Sequence, residues 1–113
     1  MKDDLDRILA FRDARDWAQY HTPKNVAISL ALETAEVLEA FQWTDRHDLP
    51  DGKRDYLAKE LADVYYYLLL LTHETGIDLR AAFLAKMEEN TRKYPVEEFR
   101  GSARKYNERE DGR

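Results

Sequence analysis

Two short stretches place acids where an apolar helix face is expected: ETAEVLE at residues 33–39 and ELAD at residues 60–63. On a helical wheel Glu33 and Glu36 lie about 60° apart, and Glu33 falls among Val26, Leu30, Val37 and Ala40. Glu60 and Asp63 repeat the arrangement, flanked by Leu57, Val64, Tyr67 and Leu71. A solvated face laced with ion pairs one turn apart would explain helical acids, but only Asp63 has a cation at that distance, Lys59. The nearest neighbours at three residues are further acids. Both pairs therefore point toward the packed interior.

Gathering several like charges away from water is costly unless a proton or a cation compensates. A divalent metal is the least costly answer. Oxygen-only donors favour magnesium, with manganese as a substitute, over zinc. Di-iron carboxylate bundles use Glu-x-x-His pairs, and neither acid pair has a histidine at the third position. Magnesium keeps waters and draws its remaining ligands from phosphates, so the pattern points to a phosphorylated substrate. The glycines, at 52, 76, 101 and 112, form no phosphate-binding loop. Phosphate recognition would fall to the metal, with side chains such as Lys86 assisting.

The elements that must position these acids are helical, since periodicity near 3.6 runs between sparse glycines and prolines. A first helix is predicted over residues 3–20, with Leu5, Ile8, Leu9 and Trp17 as apolar candidates. Thr22 and Pro23 cap a second, running to about Trp43, and TDRHDLPDG forms the clearest loop. A third runs from about Lys53 to Thr75 with Gly76 closing it, and Asp78 caps a fourth to about Arg92. The expected fold is an all-α four-helix bundle over residues 1–106, with a polar tail at 107–113.

Within the third helix VYYYLLLLT, residues 64–72, is apolar or aromatic all round, which calls for burial or a second chain. A homo-oligomer built across this helix is expected. At 113 residues and 43% hydrophobic the chain fits one globular domain, and oligomerisation would add to a modest core. There is no cysteine, which removes disulfides, thiolate zinc sites and cysteine nucleophiles. A net charge of -5 argues against binding a nucleic-acid polymer. The N-terminal MKDDLDRI has no signal-like apolar core, and no apolar run reaches bilayer length, so a cytoplasmic protein without membrane contact is expected.

With these residues in view, the chain resembles the MazG-like all-α nucleoside triphosphate pyrophosphatases, and within them the dCTP pyrophosphatase type. The family pattern is E-E-x-x-E, a spacer, then E-x-x-D. Glu33 and Glu36 fill the last two acids of the first half, Glu60 and Asp63 the second, and Leu32 stands where the pattern has its first acid. The likeness covers about residues 4–106 through DWAQYHTPKN (16–25), EAFQW (39–43), ELADVYYYL (60–68), KMEENTRKYP (86–95) and SARKY (102–106).

The resemblance implies hydrolysis of a nucleoside triphosphate between its α and β phosphates. Glu33, Glu36, Glu60 and Asp63 would hold magnesium, which neutralises the triphosphate and activates a water, with Glu36 orienting or deprotonating that water. Lys86, Arg104 and Lys105 would contact phosphates, the last two from a neighbouring subunit. Trp17, His21, Trp43, Tyr67 and Asn90 would form the base and sugar pocket. Without the family, Trp17 and Trp43 read as core or interface residues and His21 as structural.

Ile8 stands where vertebrate-type enzymes have a histidine, which bears on the preference for dCTP and its modified analogues. The family favours a dimer of dimers. Two readings from other classes compete with the enzyme: a helical module binding metal or nucleotide without turnover, and a purely structural bundle. The structural bundle leaves four acids on buried stripes unexplained.

Overall fold

The computed structural model describes residues 1–45 and 47–101, and Arg104, Lys105 and the boundary expected at residue 106 lie outside them. The order is α1 (Lys2–Ala14), a 3-10 turn (Ala18–Tyr20), α2 (Pro23–Leu38), α3 (Arg54–Thr75), α4 (Leu79–Lys93) and α5 (Val96–Phe99). Among the described residues there is no strand, and no helix is long and apolar enough to cross a membrane. The all-α expectation holds, but the described residues form five α-helices rather than four, the first four of them overlapping the expected ranges. A fifth, of one turn, follows Pro95, whose carbonyl accepts from the amides of Glu98 and Phe99.

The three caps read from the sequence all form. Thr22 accepts from the Asn25 amide at 3.2 Å with Pro23 at the first helical position, and Asp78 accepts from the Ala81 amide at 3.1 Å. Gly76, at φ 70°, closes α3: the Ile77 amide reaches the Thr72 carbonyl at 3.1 Å.

Two ends differ. α1 stops at Ala14 rather than at residue 20 because Asp16 takes the left-handed conformation, φ 54°, that a glycine usually supplies. The Trp17 amide then reaches the Arg12 carbonyl and the Asp16 amide the Asp13 carbonyl, both at 3.1 Å, the same closure that Gly76 makes. α2 ends at Leu38 rather than near Trp43, because the amides of Ala40, Phe41 and Gln42 bond three residues back instead of four. That tightened stretch ends in Trp43, at φ 66°.

The chain divides into two compact units, Met1–Ile77 and a second beginning at Asp78. In the first, α3 lies against both α2 and α1. Val26, Ala40, Leu69 and Leu70 are buried there, and VYYYLLLLT is buried only at Leu69 and Leu70. α1 is joined to α3 by Arg12, which donates to Glu74 at 2.7 Å, and by Tyr65, whose hydroxyl donates to Asp4 at 2.7 Å. In the second unit Phe99 is buried and meets Tyr94 edge to face at 4.9 Å.

Candidate active site and metal centre

α2 and α3 bring the first unit's acids together. Glu33, Glu36 and Glu60 each offer a carboxylate oxygen, and the three oxygens lie within 4.8 Å of one another. Asp63 stands outside this tight triple, but close enough for its charge to raise the pKa of Glu33, Glu60 and Tyr67. Glu60 is pushed up to about 7, first by a hydrogen bond with Glu36, then by burial, then by the surrounding negative charges. Glu33 is raised as well, chiefly by burial and next by a hydrogen bond with Glu36.

Glu33 Oε2 and Glu60 Oε2 are shut off from solvent and have no hydrogen-bond partner. A buried carboxylate oxygen without a partner is a costly arrangement that a bound cation relieves. Converging oxygens with no nitrogen or sulfur donor suit a hard dication such as magnesium or manganese. The residues present fit the metal.

Beside the acids a cleft of about 540 Å³ opens between α1 and α3, within the size range of small-molecule sites. Phe11, Trp17, Tyr66 and Tyr67 line it, and Glu33 and Asp63 lie on the same walls. The rings form a continuous edge-to-face run: Trp17 to Phe11 at 5.6 Å, Phe11 to Tyr66 at 6.3 Å, Tyr66 to Tyr67 at 4.9 Å. Such a wall offers π faces and ring edges to a planar base. Trp17 is placed by the closure after α1, and Tyr67 by its position one turn beyond Asp63 on α3. Burial first, then Glu33 and Asp63, raise the Tyr67 phenol, while a hydrogen bond with Ser29 opposes them.

Of the sequence-derived pocket residues in the first unit, the structure brings Trp17 and Tyr67 to this cleft and leaves His21 and Trp43 off its walls. His21 is not on its walls: its Nδ1 is shut off from solvent without a partner, and burial and then Arg12 push its pKa down against the opposing charge of Glu74. Trp43 is 92% exposed on the turn after α2. Lys86 and Asn90 belong to the second unit, where Lys86 lies 3.6 Å from Glu89 and the Asn90 carbonyl accepts from the Tyr94 amide at 2.9 Å. Sequence reasoning missed Asp4, Arg7, Phe11 and Tyr66, which also line the cleft. The signal was available: residues 4, 7, 8 and 11 recur at helical spacing on one face of α1.

A model of the MazG-like family matches residues 28–108 of this chain. The chain belongs to the MazG-like family. The MazG-like match takes in all four acids and begins after α1 and Trp17, so part of the aromatic wall lies outside it. Similar to this MazG-like chain is dCTP pyrophosphatase 1 of Homo sapiens, 42% identical over 112 residues, which are 94% of this chain and 66% of that protein. The Bos taurus protein of the same name is 41% identical over 110 residues, 92% of this chain and 65% of its own. The chain thus spans just under two thirds of the length of these relatives. Among solved structures, a pyrophosphatase from Archaeoglobus fulgidus superposes with a TM-score of 0.79 at 44% identity, covering 84% of this chain and 92% of the other.

Proposed function

We propose that this chain is a magnesium-dependent pyrophosphohydrolase that cleaves a nucleoside triphosphate to the monophosphate and pyrophosphate, with dCTP or a modified dCTP as the first candidate substrate. One observation carries the reading: Glu33 belongs both to the acid cluster and to the aromatic cleft, so a base among the rings places its phosphates at the acids. The pyrophosphatase names of the similar proteins agree with it.

Glu33, Glu36 and Glu60, with Asp63 beside them, would hold magnesium, which supplies positive charge against the triphosphate and Lewis acidity. Trp17, Phe11, Tyr66 and Tyr67 hold the base and exclude water from one side of it. The water oxygen bonds to the α phosphorus and the bond from that phosphorus to the α–β bridging oxygen breaks. The electron pair leaves with pyrophosphate. Glu36 is the candidate to orient the water and take its proton. Lys86, Asn90, Arg104, Lys105, His21 and Trp43 remain the candidate contacts to phosphate and base.

The chain acts as a homo-oligomer, a dimer of dimers, in the cytoplasm. Exposed apolar side chains on α2 and α3, among them Ile28, Leu32 and Leu61, support association.

The deciding experiment measures pyrophosphate release from a panel of ribo- and deoxynucleoside triphosphates, with EDTA and Glu60→Gln as controls. Magnesium-dependent release led by dCTP or a modified dCTP is expected. Release led by another base would keep the chemistry and remove the cytosine assignment. Nucleotide binding without release would leave the non-catalytic binding module.

A further inference from the structure

Glu36 lies in the last turn of α2, and what secures that turn comes from α3. The final carbonyls of a helix have no partner inside it, and α2 has no glycine closure: Glu39 stays right-handed, at φ -63° and ψ -24°. The Glu36 carbonyl accepts from the Glu39 amide at 3.1 Å and from the Tyr56 hydroxyl at 3.3 Å. The same hydroxyl lies 2.8 Å from Glu39 Oε2. A phenol has one proton, so Tyr56 shares it between carboxylate and carbonyl, the charge-assisted branch being the shorter. Tyr56 sits one helical turn before Glu60, so this tie joins the end of α2 to α3 at the level of the acid cluster. Lys53 Nζ, 5.4 Å from the ring centroid, backs the aromatic ring.

We propose that Tyr56 is a positioning residue for the metal centre, where its phenol holds the Glu36 turn against Glu60 and keeps the Glu39 carboxylate out of the cluster. Freed of this tie, the end of α2 keeps only its three-residue turns, and the Glu36 carboxylate samples positions that do not converge with Glu33 and Glu60. Glu39, one turn beyond Glu36, is meanwhile satisfied by a neutral donor rather than by a cation. The inference rests on the reading of Glu36 as a metal ligand.

The test is calorimetric titration of the full chain with Mn²⁺, without nucleotide, accompanied by melting curves in EDTA. Four proteins are compared: wild type, Tyr56→Phe, Glu39→Gln and Glu36→Gln. Tyr56→Phe keeps the ring and is expected to weaken Mn²⁺ binding by about tenfold, the scale of losing a group that orients a ligand, with little change in metal-free melting. Glu39→Gln retains an oxygen that accepts from the phenol and is expected to bind as wild type does. Unchanged binding in Tyr56→Phe, with Glu36→Gln impaired, overturns the inference while the metal reading stands. A loss in Glu39→Gln as large as in Glu36→Gln makes Glu39 a ligand and also overturns it. If wild type takes up no Mn²⁺, or Glu36→Gln binds as tightly, the metal reading falls and the inference with it. Should Tyr56→Phe lose its cooperative melt, Glu39→Ala takes its place, since it strips the phenol of its nearer anchor. Weakened binding is expected there, and unchanged binding overturns the proposal.

Discussion

Glu60 carries a sharp expectation about protons. Its carboxyl, raised from 4.5 to about 7 by the Glu36 hydrogen bond, burial and nearby charge, binds a proton more tightly folded than unfolded, and Glu33 shifts the same way. A group raised in this sense stabilises the fold fully below its unfolded pKa and loses that contribution as pH rises through the folded value. The melting temperature of the chain in EDTA should therefore fall as pH is raised from 4.5 past 7, and Glu60→Gln should flatten the fall. The same substitution should lower magnesium-dependent pyrophosphate release by about a hundredfold or more, the upper end of what losing a mere orienting group costs. Trp17→Ala should act on KM: stacking of a base on an aromatic ring is worth about 1–3 kcal/mol, so a rise of about tenfold is expected in steady-state kinetics. The convergence of Glu33, Glu36 and Glu60 was legible in the sequence because helical period places them on apolar stripes with no cation one turn away. The exposure of Trp43 was not, since it sits at φ 66° on the turn past an early end of α2 that no cap residue marks.

At the scale of elements, helix starts were readable and two helix ends, those of α1 and α2, were not. Thr22-Pro23 and Asp78 announce themselves by cap chemistry, and Thr22→Ala should cost about 1 kcal/mol in denaturant unfolding. The end of α1 escaped because an aspartate does there what a glycine does after α3. Asp tolerates the left-handed region and a β-branched residue does not, so Asp16→Val should cost about 1–2 kcal/mol. It should also raise KM, because the Trp17 amide is held by that closure, whereas Thr22→Ala should change stability alone. Comparing the two variants in unfolding and in kinetics separates a cap that only stabilises from one that also aims a ring.

For the whole molecule, the first unit contains both the acid cluster and the aromatic wall, and the second carries Lys86 and Asn90. Lys86→Ala is expected to raise KM for the triphosphate severalfold with the melting temperature unchanged, since Lys86 is solvent-facing and paired only weakly with Glu89 at 3.6 Å. Sedimentation across a range of concentrations should show a species larger than one chain. Sequence reading reached the all-α class and the four main helices because each is bounded by local chemistry. It did not reach the division at Ile77, which depends on how side chains distant in sequence meet.

The Arg12–Glu74 and Tyr65–Asp4 links give the site two parts of unequal tenacity. The acids sit on α2 and α3, where Val26, Leu69 and Leu70 are buried, whereas Phe11 and Trp17 are held by α1 and the turn after it, joined to α3 by those polar links and the Phe11–Tyr66 ring contact, with no apolar side chain of α1 fully buried. Partial opening sets in where few apolar groups are buried. On warming, the aromatic wall should loosen before the acids part. Under the proposed function, discrimination between nucleotides should then fade at temperatures where pyrophosphate release continues, so that brief overheating would blunt the choice of substrate before it stopped turnover.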